Sequence, residues 1–226
     1  MKLRPAALLF DMDGTLTDPR QVITHDIIEA LGSMPNSMKM HLVTGSDMEK
    51  VEQQIPTDLL LKIFDRVYAC NGTRVYKCNI DTDDENLPYE PELIHKVNLL
   101  DHYSEADINH ISNVLLRTAA NTHTKIKTGT FVEWRESQKI VDHLREEFKG
   151  WGLSFRLGGQ ISIDITREGW DKSYAFENMI ETPDQCVFFG DKICTDGNDL
   201  DIAMKCAYYH NVESPADLIL QLQEYK

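Results

Sequence analysis

The chain lacks a C-x-x-C pair, lacks any long apolar run and is short of positive charge. Its five cysteines, Cys70, Cys78, Cys186, Cys194 and Cys206, are odd in number and widely spaced. Neither a disulfide framework nor a thiolate zinc cluster is therefore expected, and the thiols read as reduced ones of a cytoplasmic protein. With 23 Lys and Arg against 37 Asp and Glu, the formal net charge is −14. That field repels phosphodiester backbones and anionic lipid surfaces, so no nucleic-acid partner and no membrane partner is expected. Lys2 and Arg4 precede an apolar stretch, but Asp11 and Asp13 end it too early for a secretory signal. No other stretch approaches the ~20 apolar residues of a membrane span. An anionic ligand would have to be attracted by a few placed cations or a metal ion.

What is present suffices for a substantial core, at 226 residues and 42% hydrophobic composition. Residues 6–10 form a continuously apolar run that stops at Asp11, as suits a strand buried on both faces of a parallel sheet. Ile23, Ile27, Ile28 and Leu31 recur at helical spacing, and residues 40–43 read as a second strand ending at Thr44-Gly45-Ser46. A helix over 47–55, a strand near 66–69 and a hairpin turn at Asn71-Gly72 into 75–78 follow. The acidic stretch 81–91 has no periodicity and reads as a linker into an inserted unit.

Within that unit, Ser104 and Asp107 make a capping-box pattern ahead of Ile108, Ile111, Leu115 and Leu116. Residues 130–135 read as a strand, 137–149 as a helix, and 153–157 with 161–165 as an antiparallel hairpin about Gly158-Gly159. Gly169-Trp170-Asp171-Lys172 marks the return; 187–189 is then another buried strand, ending in Gly190-Asp191, and 207–210 with a helix over 215–222 completes the layer. The expected class is α/β, a doubly wound parallel sheet with an inserted α+β domain of antiparallel sheet plus helices. Residues 1–87 and 171–226 form the core and 88–170 the insertion.

In such sheets ligands bind outside the carboxyl ends of the strands, and that edge collects Asp11, Asp13, Ser46 and Asp191. Three carboxylates in one cleft repel one another unless a hard cation sits among them, and Mg²⁺ prefers oxygen ligands while leaving positions open for phosphate. A phosphate neutralised in this way permits attack by a carboxylate oxygen, giving an acyl phosphate. The blander reading is a pair of strand-end carboxylates that cap a turn.

Asp11-Met12-Asp13-Gly14-Thr15, following a buried strand, resembles the first motif of the haloacid dehalogenase (HAD) superfamily. That resemblance implies a Rossmann-like core with a cap domain. It implies Asp11 as nucleophile, Asp13 as general acid and base, Thr44 or Ser46 with Lys172 as phosphate ligands, and Mg²⁺ held by Asp11, Asp13, Asp191 and Asp199. The resemblance narrows at Thr17-Asp18-Pro19-Arg20-Gln21, Gly45-Ser46-Asp47 with Glu49-Lys50-Val51, and Gly129-Thr130-Phe131-Val132-Glu133-Trp134-Arg135. It narrows again at Gly158-Gly159-Gln160-Ile161-Ser162-Ile163-Asp164, Gly169-Trp170-Asp171-Lys172, and Phe188-Phe189-Gly190-Asp191-Lys192 with Gly197-Asn198-Asp199. Together these resemble the eukaryotic-type α-phosphomannomutase family over nearly the whole chain.

The resemblance implies interconversion of mannose 6-phosphate and mannose 1-phosphate, a hexose bisphosphate activator and intermediate, and a homodimer through the cap. The family's sugar-phosphate contacts carry over to Arg20, Arg135, Ser162 and Asp164. The pattern around them agrees: Ser162 and Asp164 alternate with isoleucines and so share one face of a strand, and arginine suits bidentate capture of phosphate. A surface ion pair of Glu133 with Arg135 and an ordinary half-exposed strand are the competing readings.

The chain departs from the family directly after Arg135, where Glu136-Ser137-Gln138 leads straight into a helix. The family's additional cap sequence, with two further phosphate-binding arginines, has no counterpart there. Each lost charge-assisted contact weakens the cap's hold on phosphate by roughly 1.5 to 3 kcal/mol, which favours release of the bisphosphate or attack by water. A sugar-phosphate phosphatase is therefore the alternative enzyme, and a noncatalytic sugar-phosphate-binding protein the alternative from another class. Arg117, Lys125, Lys127, Arg145, Arg156 and Arg167 are the candidate replacement cations. A second departure, Ala203-Met204-Lys205-Cys206, falls where the family carries a structural metal loop.

Overall fold

All four residues of β1 (Ala7–Phe10) are buried, because each face of the strand meets its own apolar layer. Leu8 and Phe10 point into one cluster, Ala7 and Leu9 into the other, as the two-residue period of a strand requires. The computed structural model describes residues 5–78, 90–123, 134–157 and 163–226. After β1 come α1 (His25–Gly32), β2 (Lys39–Val43), α2 (Met48–Gln54), α3 (Thr57–Ile63), β3 (Arg66–Ala69), β4 (Arg74–Lys77) and β5 (Glu92–Lys96). Then follow α4 (Glu105–His123), α5 (Trp134–Glu147), β6 (Leu153–Leu157), β7 (Ile163–Arg167), β8 (Cys186–Gly190), α6 (Leu200–Lys205), β9 (Tyr208–Asn211) and α7 (Pro215–Leu222).

Seven strands form one sheet in the order β5-β4-β3-β2-β1-β8-β9, and β6 with β7 forms a separate antiparallel pair. The ladder from β3 through β2, β1 and β8 to β9 is parallel, whereas β4 and β5 are added antiparallel. This is the α/β class expected, with the small antiparallel sheet set apart from the large one as in a cap. One face of the large sheet buries Ile27, Leu31, Val51, Leu60, Leu218 and Leu222 from α1, α2, α3 and α7. The other buries Ala175, Ile202 and Ala203. The small sheet has a core of its own, in which Val141, Leu144 and Phe148 lie against Phe155 and Leu157.

Local chemistry fixes the helix starts. Asp47 accepts a hydrogen bond from Lys50 N at the head of α2, and Pro215 sits in the first turn of α7 behind the Ser214 cap. The box ahead of α4 is formed: Ser104 N donates to Asp107 Oδ2 at 2.9 Å, and Asp107 N donates to Ser104 Oγ at 3.2 Å.

Three expectations need correction. The helix α3 is absent from the pattern read above; Leu59, Leu60 and Ile63 carry its apolar stripe directly behind α2. The boundary expected at 87/88 would assign residues 92–96 to the insertion, yet β5 pairs with β4 in the large sheet. It is an edge strand, exposing Leu93 and Ile94, so it shows no alternating signature. Arg135 does not end a strand but lies in the first turn of α5, because the run from Trp134 to Lys139 has no β-branched residue and extends the helix backwards. The rest of the expected 130–135 strand, most of the 81–91 linker and the Gly158-Gly159 turn lie outside the described residues.

Beneath the sheet, His41 is buried, edge-on to Tyr68, with its Nε2 at 3.2 Å from Glu181 Oε2. That hydrogen bond holds the Glu181 carboxyl below its ordinary value. A depressed carboxyl contributes stability above its unfolded pKa and loses it as pH falls through its folded pKa. Glu181→Gln is expected to cost about 1 to 2 kcal/mol near neutral pH, and the gap to wild type should close below the ordinary glutamate pKa of 4.5. Urea unfolding midpoints at two pH values check this.

Candidate active site

Phe10 of β1 is in register with Phe189 of the adjacent β8, so Asp11 and Asp191 leave the sheet from neighbouring strand ends. Asp11 N extends the ladder by donating to Phe189 O at 2.9 Å. The chain then turns at once, with the N–H groups of Thr15, Leu16 and Thr17 all converging on Met12 O. Gly14 has φ +91°, and a Cβ there would lie 2.6 Å from Asp191 Oδ2. Only glycine permits both that backbone and that approach.

Lys172 lies at the start of a short 3₁₀ segment whose first N–H groups are capped by Asp171. Its ammonium is 1% exposed and donates to Asp11 Oδ1 and, at 2.6 Å, to Asp199 Oδ1. Asp199, fully buried, accepts from Lys192 N at 2.9 Å through its other oxygen. Thr15 Oγ1 donates to Asp11 Oδ2 at 3.3 Å, so both oxygens of Asp11 are oriented. Asp191 is paired with the Lys192 side chain.

Carboxylate oxygens of Asp11, Asp191 and Asp199 lie within 4.8 Å of one another. Burial pushes the Asp11 carboxyl up to about 7 against the pull of Lys172, with Asp199 and Asp191 adding repulsion. Asp191 is raised by burial too, against Lys192 and with repulsion from Asp199. Burial opposes the charged form of Lys172, but Asp11 and Asp199 outweigh it and hold its pKa above the usual lysine value. Three carboxyls thus face two ammonium groups, leaving a deficit of positive charge that a divalent cation fits.

Asp13 is not part of this group. Against its burial, Lys50 Nζ at 2.7 Å from Oδ2, with Arg20 N at 3.1 Å and Gln54 Nε2 at 3.2 Å from Oδ1, holds its carboxyl below the usual value. Its side chain is therefore directed to α2 and away from the metal set in which it was expected. Lys50 and Gln54 are partners of Asp13 that motif reading missed. Their spacing of one helical turn was the available signal.

Thr44 is buried and its Oγ1 accepts from Ser46 N at 3.1 Å, shaping the turn that leaves Ser46 half-buried. Arg20, at φ +62°, contributes its N–H to Asp13 while its side chain is exposed. From β7, Asp164 reaches across to the core: Asn198 Nδ2 donates to its Oδ2 at 3.0 Å, and that oxygen lies 2.9 Å from where a Cβ on Gly45 would stand. Ser162 lies outside the described residues. Among the candidate replacement cations, Arg145 and Arg156 are engaged with Asp196 and Asp201, and Arg117 and Arg167 are exposed. Lys125 and Lys127 lie outside the described residues.

The model of the family "Eukaryotic phosphomannomutase" matches residues 27–138 and 136–225. The two segments meet where the extra cap sequence has no counterpart. The chain is 33% identical to a phosphomannomutase of Galdieria sulphuraria, over 96% of this chain and 92% of that one. It is 31% identical to phosphomannomutase 1 of Homo sapiens, over 96% and 90% respectively. Among solved structures it shares its fold with a haloacid dehalogenase-like hydrolase from Bacteroides thetaiotaomicron. The TM-score is 0.57 at 14% identity, covering 97% of this chain and 92% of that one.

Proposed function

Because the chain belongs to the eukaryotic phosphomannomutase family, enzymes with a HAD-like fold, we propose that it moves phosphoryl groups on hexose phosphates through Asp11, interconverting mannose 6-phosphate and mannose 1-phosphate. The observation that carries this reading is the buried Asp11 carboxylate, oriented by Lys172 and Thr15 at the rim shared with Asp191 and Asp199. A Mg²⁺ held by Asp11, Asp191 and Asp199 would neutralise charge on the phosphate under attack.

In the proposed cycle a hexose bisphosphate activator first gives its phosphoryl group to Asp11. A hydroxyl of the hexose monophosphate then attacks the phosphorus of the aspartyl phosphate, its proton passing to Asp13, and the Asp11 oxygen–phosphorus bond breaks. The resulting bisphosphate reorients, Asp11 attacks its other phosphorus, and Asp13 returns the proton to the departing sugar oxygen. Lys50 keeps Asp13 in its ionised, proton-accepting form. Thr44 and Ser46 would line the transferring phosphate, and Arg20, Arg135, Ser162 and Asp164 the sugar and its second phosphate. The cap is taken as the segment between β5 and Lys172. A homodimer through it and a cytoplasmic location, consistent with five unpaired thiols, belong to the same reading. Among the described residues no helix is long and apolar enough to cross a membrane.

A phosphatase outcome has one specific observation in its favour: Arg145 and Arg156 are spent on carboxylates of the core rather than left for phosphate. A phosphorus NMR time course with mannose 1-phosphate, Mg²⁺ and a trace of glucose 1,6-bisphosphate separates the two. Growth of a 6-phosphate resonance is the expected result. Inorganic phosphate as the sole product would make the protein a hydrolase, and no turnover would favour a noncatalytic sugar-phosphate binder.

A further inference from the structure

The cap touches the core at the loop that runs from Asp191 to Asp199. Arg145, on α5, places Nη2 at 2.7 Å from Asp196 Oδ1 and at the same distance from the carbonyl oxygen of Phe155. Arg156, on β6, sets Nε at 3.1 Å and Nη2 at 3.0 Å from Asp201 Oδ2, with Nη1 at 3.8 Å from Asp196 Oδ1. Between these ion pairs the backbone itself crosses: Leu157 N donates to Asp196 O at 2.8 Å, and Asn198 N donates to Leu157 O at 3.1 Å. The end of β6 thereby forms a parallel bridge with Gly197.

The receiving loop is tightly wound. Asp196 has φ +66°, and a Cβ on Gly197 would fall 2.0 Å from the carbonyl oxygen of Lys192. The same few residues then supply Asn198, which binds Asp164, and Asp199, which binds Lys172. An arginine that left its carboxylate here would free the end of β6 and, with it, the hairpin that presents Asp164.

We propose that Arg145 and Arg156 are positioning residues that fasten the cap to the loop between Asp191 and Asp199, so that the bisphosphate intermediate is retained by enclosure while it reorients. The proposal rests on the mutase reading above for its consequence, but not for the fastening itself. Neither guanidinium is offered to phosphate: their partners are the carboxylates of Asp142, Asp196 and Asp201 and the Phe155 carbonyl. Both pairs are partly exposed, so salt weakens them.

The test uses the full chain, with Arg145→Met/Arg156→Met as one variant and Asp196→Asn as another, since asparagine tolerates the left-handed backbone at that position. Amide hydrogen exchange at Leu157 and Asn198, whose N–H groups cross the interface, reads the fastening without any substrate. Exchange about tenfold faster in both variants is expected, with the amides of β1 and β8 unchanged. The ratio of isomerised sugar phosphate to released bisphosphate plus inorganic phosphate should fall by a similar factor, while Asp11 phosphorylation falls far less. Raising KCl from about 50 to about 500 mM should lower the wild-type ratio and leave the double variant nearly unaffected.

The charge-swapped chain Arg156→Asp/Asp201→Arg should recover part of the protection, which a purely structural loss would not. Unchanged exchange at both amides, or fast exchange with an unchanged product ratio, overturns the proposal. Absence of isomerised product from the wild type would sink the mutase reading instead, and the exchange result alone would then decide the fastening.

Discussion

Asp11→Asn is expected to abolish turnover of hexose phosphates, lowering kcat by roughly 10⁴-fold or more, as loss of a covalent nucleophile does. The amide is nearly isosteric, so the Thr15 contact and the surrounding packing survive, but its oxygen does not form an acyl phosphate. The folded protein should tolerate the change well. Burial and the neighbouring carboxylates already push Asp11 towards its neutral form. The amide puts no negative charge against Asp191 and Asp199, and Lys172 keeps Asp199 as its partner. The melting temperature without metal should therefore equal or exceed that of wild type. Intact mass after incubation with glucose 1,6-bisphosphate should show a phosphorylated wild-type chain and an unmodified variant. Retention of full turnover by Asp11→Asn would rule out every aspartyl-phosphate mechanism, mutase and phosphatase alike.

Lys172→Met is the second large effect and differs in kind, because it should damage both the fold and the chemistry. Lys172 is 1% exposed between two buried carboxylates. Its removal leaves Asp11 and Asp199 facing each other without a counter-charge, which costs on the order of 3 to 5 kcal/mol for a buried pair broken on one side. The sign of the pH dependence follows. Without the ammonium the folded-state pKa of Asp11 rises above its wild-type value of about 7, so the penalty relative to wild type builds up as pH climbs from there towards the higher value and is relieved when acid supplies the missing proton. Thermal unfolding should accordingly show a variant far less stable than wild type at pH above neutrality and closer to it in mild acid. A pH-independent loss would assign Lys172 a packing role only. Added Mg²⁺ should recover part of the stability, since it also opposes carboxylate repulsion.

Much of the architecture was legible because burial writes itself plainly into composition. A strand covered on both faces must be apolar at every position, so residues 7–10 and 187–189 stood out, and the acidic residue at the end of each marked the rim. The α7 helix was bounded by Ser214 and Pro215, residues whose chemistry starts helices. Elements lacking such signals were lost: β5 is held by backbone pairing at an edge, and α3 follows α2 with no break but Pro56. Residues 130–135 read as a strand, but helix propensity from Trp134 onward prevailed. Within the site, a motif names residues but not the direction of their side chains. Asp13 turns to Lys50 and Gln54 because the fold sets α2 beside the loop that follows β1, and that placement is a tertiary fact. The pairing of Arg145 and Arg156 with Asp196 and Asp201 joins segments 51 and 45 positions apart, beyond the reach of any local pattern.

The separation between Asp11 and Asp191 is set by the hydrogen-bond ladder joining Phe10 to Phe189 in the middle of a seven-stranded sheet, whereas Asp164 is carried on a two-stranded ribbon. On warming, the two should part company. A central parallel ladder opens only when the whole domain melts, but a two-stranded sheet, even one backed by a helix and tied to the 191–199 loop, opens at smaller cost. Activity lost at temperatures below the melting transition should therefore return on cooling, because the half of the site that came loose was never the half that holds the nucleophile.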